Sequence, residues 1–331
     1  MSKNIAILAG GNSSEFPVSM NSAKTLEDSL KNTDYRTFKI ILSGKSWKLQ
    51  LNNKEYEINK NDFSINIEGE TIEFDCALII IHGNPGENGL LQGYFESLGI
   101  PYSTCGVLSS SLTFNKVFSK NYIAGYGVPV SKFKIIKKNQ SWKSEEILKE
   151  TGLPCFVKPN RGGSSFGITK VFQENELEAA IEKAFEEDHE VLAEEYLEGT
   201  ELTCGLIKTG GKEYIFPSTE IVSKNEFFDY EAKYTKGMAD EITPSRISQE
   251  LEQEVQLLSS KLYDIFDCRG IVRIDYIYTN GQLYFMEVNT IPGMSAASIV
   301  PQQIRAAGYS LQEMLIIAIE DAIENNDKEG Y

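Results

Sequence analysis

Short apolar runs alternate along the chain with polar loops rich in glycine. Ile5 to Leu8 is apolar and runs into Ala9-Gly10-Gly11-Asn12-Ser13-Ser14-Glu15, after which Ser19 to Leu30 has helical spacing. A strand, a loop of small residues and a helix open a parallel α/β unit, and the helix N-terminus can hold an anion or polar ligand. Tyr35 to Leu42 predicts another strand. Residues 44–75 carry short strand-like pieces, Trp47 to Leu51 and Ile65 to Glu68, and read as a surface hairpin excursion without chemistry. Cys76 to Ile81 is apolar throughout, as expected in the centre of a parallel sheet. It ends at His82-Gly83-Asn84-Pro85-Gly86-Glu87-Asn88-Gly89, before the helix Leu90 to Leu98. Both polar loops sit at carboxyl ends of strands, where such sheets place ligands. Glu15 and His82 are the candidate binding residues there.

The same pattern continues with lysines added. Ser109 to Gly125 reads as one helix carrying Lys116 and Lys120, and Lys132 to Ile136 as a strand. Cys155-Phe156-Val157-Lys158-Pro159 places a lysine inside an apolar strand, just before Asn160-Arg161-Gly162-Gly163-Ser164-Ser165-Phe166-Gly167. Backbone N–H groups of such a loop can wrap phosphates while the lysine supplies charge. It is not a Walker A loop, because the lysine precedes the glycines and no helix follows at once. Ile168 to Val171 predicts a strand and Glu174 to Glu186 a helix. Val191 to Glu201 is a strand breaking into an acidic linker, followed by the strand Leu202 to Ile207, as at a hinge between two lobes. Glu220 to Tyr234 is polar and aromatic, and Thr235 to Thr243 reads as a loop. Gln249 to Phe266 and Ser310 to Asn325 are amphipathic helices that pack on the core.

Gly270 to Gly293 breaks the pattern. Two β-branched and aromatic runs flank Asn280-Gly281, a strong hairpin signal, yet Arg273, Asp275, Glu287 and Asn289 interrupt them. Charged residues are rarely buried without partners. A two-residue loop pairs Asp275 with Met286 and puts Glu287 on the opposite face. A three-residue loop, Asn280 to Gln282, pairs Asp275 with Glu287 and Arg273 with Asn289. Facing carboxylates repel unless a cation lies between them, and oxygen ligands on paired strands suit Mg²⁺ with substrate phosphates. The three-residue register or an equivalent bulge is therefore expected, with Ile277, Phe285 and Ile271 on the polar face.

Composition narrows the chemistry. The chain has 331 residues and a net charge of −16, which argues against nucleic acid or another polyanion as partner. Five scattered cysteines lack CxxC spacing, and two histidines cannot make a multi-histidine metal site. Free thiols in a reducing cytoplasm are expected. No signal peptide pattern is seen at the N-terminus, and no apolar run approaches the ~20 residues needed to span a bilayer.

Taken in order, these motifs resemble the ATP-grasp superfamily and, within it, the D-alanine–D-alanine ligase family. The resemblance covers nearly the whole chain and is strongest over Lys158 to Gly167 and Gly270 to Pro301. It implies an α/β fold with an N-terminal Rossmann-like, parallel-sheet domain (1–105), a central ATP-grasp lobe (106–195) and a C-terminal lobe (196–331) with the metal and substrate site. It also implies ATP between the lobes, two Mg²⁺ or Mn²⁺ ions, D-alanine as substrate, a homodimer, and no membrane or nucleic-acid partner. Asp275, Glu287 and Asn289 would hold the metals. Lys116, Lys158 and Lys233 would contact phosphates. Backbone around Glu194, Glu195 and Leu197 would hold adenine, and Glu201 the ribose. Glu15, Ser164 and Tyr234 would form a hydrogen-bonded set closing the loop 224–240, with Glu15 on the first alanine's ammonium. His82 would contact substrate. Arg273 and the Gly293 N–H would stabilise an oxyanion, and Ser298 with Ile299 would place the second alanine's carboxylate. Three positions depart from the family pattern: Phe16-Pro17 after Glu15, Asn88 where Asp is common, and Gly162 where an acidic residue is frequent.

The implied chemistry agrees with the residues. A carboxylate becomes an acyl donor once ATP has phosphorylated it. That step needs positioning and charge neutralisation rather than a protein nucleophile, and no Ser/His/Asp or Cys/His constellation stands out. A D-alanine–D-lactate ligase, another carboxylate–amine ligase, or a nucleotide-binding module without catalysis would share parts of this pattern.

Overall fold

The computed structural model describes residues 2–163, 166–223 and 239–329. Its first section contains β1 (Asn4–Gly10), α1 (Phe16–Leu30), β2 (Arg36–Ser43), β3 (Ser46–Leu51), β4 (Lys54–Asn59), β5 (Ser64–Ile67), β6 (Glu70–Ile72), β7 (Cys76–Ile79) and α2 (Leu90–Leu98). The strands make one mixed sheet in the order β6-β5-β4-β3-β2-β1-β7. Only β2, β1 and β7 run parallel to one another. Residues 44–75 are therefore not a surface excursion. They form the antiparallel half of this sheet, and Leu49, Ile58, Phe63 and Ile65 are buried. Apolar residues alternate there with Lys and Glu, as in a sheet wetted on one side. β7 was expected at the centre but ends the strand order, with a single parallel bridge to Tyr102 beyond it. It is fully buried all the same, because the C-terminal helix packs on it. α1 begins three residues earlier than the pattern predicts, since Pro17 in its first turn needs no N–H partner.

Two helices connect the first section to the next, α3 (Val107–Phe114) and α4 (Lys116–Ala124). The sequence pattern joins them into one. Asn115 separates them: its backbone is extended and its side chain caps α4 by accepting from the Phe118 N–H at 3.0 Å.

The second sheet, β10-β9-β11-β8, is built from β8 (Phe133–Lys137), β9 (Cys155–Pro159), β10 (Thr169–Val171) and β11 (Glu190–Glu195). Helices α5 (Ser144–Thr151) and α6 (Leu177–Ala184) cover one face, over Cys155, Val157, Val171, Val191 and Ala193. Lys158, Leu192 and Glu194 alternate with these and lie on the other face.

The third sheet runs β15-β14-β12-β16-β17, with β13 on β12. Its strands are β12 (Thr200–Thr209), β13 (Lys212–Ile215), β14 (Thr219–Ser223), β15 (Ala239–Ile242), β16 (Val272–Thr279) and β17 (Gln282–Asn289). β15 lies inside the stretch that reads as a loop from sequence. Helices α7 (Gln249–Ile265), α8 (Ile299–Ala306) and α9 (Leu311–Glu329) complete the section. Met314, Leu315, Ala318 and Ile319 of α9 share a core with β1 and β7, so the end of the chain packs against its beginning. No described helix is long and apolar enough to cross a membrane.

Candidate active site

The hairpin β16–β17 turns at Asn280 and Gly281, whose φ angles of 51° and 75° are left-handed, as a type I′ turn requires. The loop thus has two residues, and pairing starts with Thr279 opposite Gln282. A bulge then shifts the register between Asp275 and Tyr276. Met286 is the extra residue, and beyond it Asp275 faces Glu287 and Arg273 faces Asn289. The bulge does what a three-residue loop would have done, by re-aiming side chains close to a site. It also overturns one expectation: Phe285 pairs with Tyr276 and is buried in the apolar core, not on the polar face.

Asp275 is held by three neighbouring side chains. Arg273 grips it as a fork, from Nε to Oδ1 and from Nη2 to Oδ2, both at 2.8 Å. Asn289 Nδ2 donates to Oδ2 at 2.9 Å, and Thr203 Oγ1, from β12, donates to Oδ1 at 2.5 Å. Burial works against the Arg273 guanidinium, but the Asp275 and Glu287 charges outweigh it and raise its pKa further. With Nδ2 turned to Asp275, the amide oxygen is the Asn289 atom able to ligate a cation. Two facing carboxylates and an amide oxygen fit Mg²⁺, which typically takes one or two carboxylates and completes its shell with phosphate and water. Among the described residues no cluster of three or more His, Cys, Asp or Glu side chains forms a denser metal cage.

Lysines approach from the opposite side. Breaking the helix at Asn115 puts Lys116 at the start of α4, where its N–H donates to the Asn160 carbonyl. Its Nζ lies 3.2 Å from Glu287 Oε2 and donates to the Gly162 carbonyl at 2.8 Å, tying the glycine loop to the hairpin. Lys158 ion-pairs with Glu194, and so does Lys120, a fully buried residue that the sequence reading leaves without a role. Burial alone would raise the Glu194 carboxyl, but the two lysines hold it well below the usual carboxylate range. Glu195 accepts from the Lys132 N–H at 2.7 Å, and Leu197 lies half-buried in the segment joining β11 to β12.

A cavity of about 350 Å³ opens between these elements. Glu15, His82, Glu201, Arg273, Asp275, Glu287, Asn289, Gly293, Ser298 and Ile299 all line it. Lys116, Lys158, Glu194, Glu195 and Leu197 do not. Lys116 reaches this set through Glu287. Ser164, Lys233, Tyr234 and most of the loop 224–240 lie outside the described residues.

Glu15 is buried at the N-terminus of α1. A Cβ on Gly163 would come within 2.9 Å of its carboxylate, so the glycine loop leans directly on Glu15. His82 Nδ1 sits 2.9 Å from the Ile291 carbonyl, and burial lowers its pKa, which keeps the ring neutral. Ser298 precedes the first turn of α8, and its hydroxyl turns back to accept from the Ser295 N–H at 3.1 Å instead of capping the helix. Gly293 lies against it, where a Cβ would meet the Ser298 Oγ at 2.9 Å. The Asn88 side chain donates to Asn84 within its loop at 3.1 Å, and its carbonyl accepts from the Ser111 hydroxyl of α3 at 2.9 Å.

Two carboxylates on the cavity wall, Glu87 and Glu241, had no place in the sequence reading. Glu87 accepts from the Gly83 N–H at 2.7 Å; burial, with the Glu15 charge beside it, pushes its pKa up to about 8. Its place in the His82 loop was the one available signal. Gln302 Nε2 donates to Glu241 at 2.8 Å.

A mixed sheet followed by two antiparallel lobes, with facing carboxylates in one and a lysine strand in the other, defines an ATP-grasp protein. Family models extend this over most of the chain: residues 4–105 match the D-ala D-ala ligase N-terminus and residues 122–320 the D-ala D-ala ligase C-terminus. The chain belongs to the D-alanine–D-alanine ligase family. A D-alanine–D-alanine ligase of Azobacteroides pseudotrichonymphae is 51% identical over 321 residues, covering 96% of this chain and 99% of the relative. Among solved structures, the VanG D-Ala:D-Ser ligase of Enterococcus faecalis superposes with a TM-score of 0.86 at 33% identity, over 97% of this chain and 99% of that one. The Bacillus anthracis D-alanine–D-alanine ligase complexed with ATP gives 0.79 at 31% identity, over 99% and 100%.

Proposed function

We propose that the protein joins two D-alanine molecules into D-alanyl-D-alanine at the expense of ATP, through an acyl phosphate, as a cytoplasmic step in peptidoglycan precursor synthesis. The observation that carries this reading is the bulged hairpin: Asp275 faces Glu287 on the wall of a cavity that also holds Glu15, with Lys116 on Glu287. Mg²⁺ held by Asp275, Glu287 and Asn289 would neutralise the phosphate oxygens. Lys116, Lys158 and Lys233 would add charge on the nucleotide side, with adenine along Glu194 to Leu197 and the ribose at Glu201.

Glu15 and His82 would orient the first alanine, Glu15 through its ammonium. A carboxylate oxygen of that first alanine attacks the γ-phosphorus, and ADP leaves as the bond to its β-phosphate oxygen breaks. The second alanine's amine, having given up its ammonium proton, then attacks the acyl carbon. Negative charge develops on the carbonyl oxygen until the acyl C–O bond breaks, inorganic phosphate leaves and the new amide nitrogen loses its extra proton. The fork to Asp275 occupies Nε and one N–H of Nη2 of Arg273, so its remaining terminal N–H groups are those with which it would meet that carbonyl oxygen, beside the Gly293 N–H. Ser298 and Ile299 would hold the second carboxylate, and Ser164 with Tyr234 would help Glu15 close the site against water.

Incubation with ATP, Mg²⁺ and D-alanine tests the reading. Phosphate and D-alanyl-D-alanine formed in equal amounts are expected. Preference for D-lactate or D-serine as acceptor would reassign the second subsite, and ATP binding without turnover would point to a module without catalysis. The resemblance also implies a homodimer, which light scattering checks.

A further inference from the structure

Helix α4 carries two lysines four residues apart, which puts them on one face. Lys116 reaches Glu287 in the third sheet and Lys120 reaches Glu194 in the second. We propose that Lys120 is a positioning residue for ATP: by sharing the Glu194 carboxylate, it keeps the Lys158 ammonium available to the phosphates. The inference rests on the reading of Lys158 as a phosphate ligand.

The two oxygens of Glu194 face different lysines. Oε1 meets Lys120 Nζ at 2.5 Å, and Oε2 meets Lys158 Nζ. Ser131 locks the first contact, accepting from Lys120 Nζ at 2.9 Å and donating to Glu194 Oε1. Among the described residues Oε2 has no partner besides Lys158, so the ion pair is what holds Lys158 there. Burial lowers the Lys120 pKa from its ordinary value, and the Glu194 carboxylate opposes that shift. With both lysines charged, one carboxylate against two ammoniums leaves one positive charge. Lys158 is the member with an open side, 9% exposed against 0% for Lys120 and 1% for Glu194.

Without Lys120, Glu194 and Lys158 would form a neutral buried pair. A phosphate would then compete with a bare carboxylate for the ammonium, in surroundings where opposite charges attract strongly. With Lys120 on the other oxygen, that competitor is already partly neutralised. Lys120 has no exposed atoms and cannot touch nucleotide, so its influence passes through Glu194.

A purely structural Lys120 would make a different prediction. Its loss would disturb Glu194 and the adjoining backbone, and would weaken every ligand that stands on adenine. Comparing MgATP with adenosine on the full chain separates the two roles, because adenosine lacks phosphates. Dissociation constants are read by displacement of a fluorescent nucleotide, without D-alanine, alongside a thermal melt. Lys120→Met is expected to weaken MgATP about tenfold, the equivalent of ~1.4 kcal/mol, while adenosine changes less than about threefold. Equal weakening of both ligands, or of neither, overturns the proposal. Should Lys120→Met not fold, Ser131→Ala decides, since it loosens the Lys120–Glu194 contact without stranding a charge. A loss of about threefold confined to MgATP is then expected, and an unchanged ratio of the two constants overturns the proposal. A wild-type protein that binds MgATP but forms no dipeptide would refute the proposed reaction and leave this inference standing.

Discussion

The two walls of the site are opposites in charge. Among the described residues the cavity wall carries six carboxylates, Glu15, Glu87, Glu201, Glu241, Asp275 and Glu287, and Arg273 as the cation among them. The other side carries Lys116, which reaches Glu287, and Lys158, which shares the carboxylate of Glu194 with the buried Lys120. Like charges this close are stable when something of the other sign completes them. Under the proposed function, metal ions and a substrate ammonium would complete the acidic wall, and phosphates the basic one. Lys116 touches both, pairing with Glu287 while bonding the glycine loop. A substrate set of amino acid, metal and nucleotide suits this polarity. A lone anion or a lone cation would leave one wall unmatched.

The comparison breaks most completely at Glu287, the carboxylate both walls share. Glu287→Gln removes the charge facing Asp275 and the partner of Lys116. Turnover is expected to fall more than about a hundredfold, since even an outer partner of a metal is worth about 10–100-fold. A steady-state rate within a few fold of wild type would take Glu287 out of the metal site. Arg273→Lys comes next. It keeps the positive charge of the acidic wall but loses the planar fork on Asp275 and the nitrogen beyond it. kcat is expected to drop by about 10²-fold, the usual cost of one oxyanion donor, with little change in KM for ATP. Loss of ATP affinity with kcat intact would instead place Arg273 on the nucleotide.

The acidic wall was far more legible in the sequence than the basic one. Asp275, Glu287 and their neighbours lie on one hairpin, where strand periodicity ties each residue to a face. Even so, the pattern could not separate a three-residue loop from a two-residue turn followed by a bulge, because both bring Asp275 opposite Glu287. The Glu194 group was unreadable for the opposite reason. Lys120, Ser131, Lys158 and Glu194 come from separate elements, and only tertiary packing brings them together. The break at Asn115 was hidden because apolar spacing continues through it, although Asn is a good helix cap. The antiparallel half of the first sheet was missed because β4, Lys-Glu-Tyr-Glu-Ile-Asn, buries only Ile58 fully and looks like a polar loop.

The smallest expected effect is also the most direct probe of the acidic wall. Glu87 has its pKa raised from 4.5 to about 8, first by burial and then by the Glu15 charge, while the Gly83 N–H opposes the shift. Between those two values the folded, ligand-free protein holds a proton that the unfolded chain has released. The folded state binds more protons, so stability falls as pH rises through this window. The contribution is fully present below pH 4.5 and lost above about 8. Glu87→Gln imitates the protonated side chain at every pH. Its melting temperature should decline less than that of the wild type between pH 5 and 8, the two curves being closest at the acid end. Cations that complete the wall should expel the same proton, so saturating Mg²⁺ and ATP should shrink the difference between the two proteins. Parallel melting curves with and without ligand would mean that Glu87 is ionised in the empty site, and that the acidic wall carries its full charge before any cation arrives.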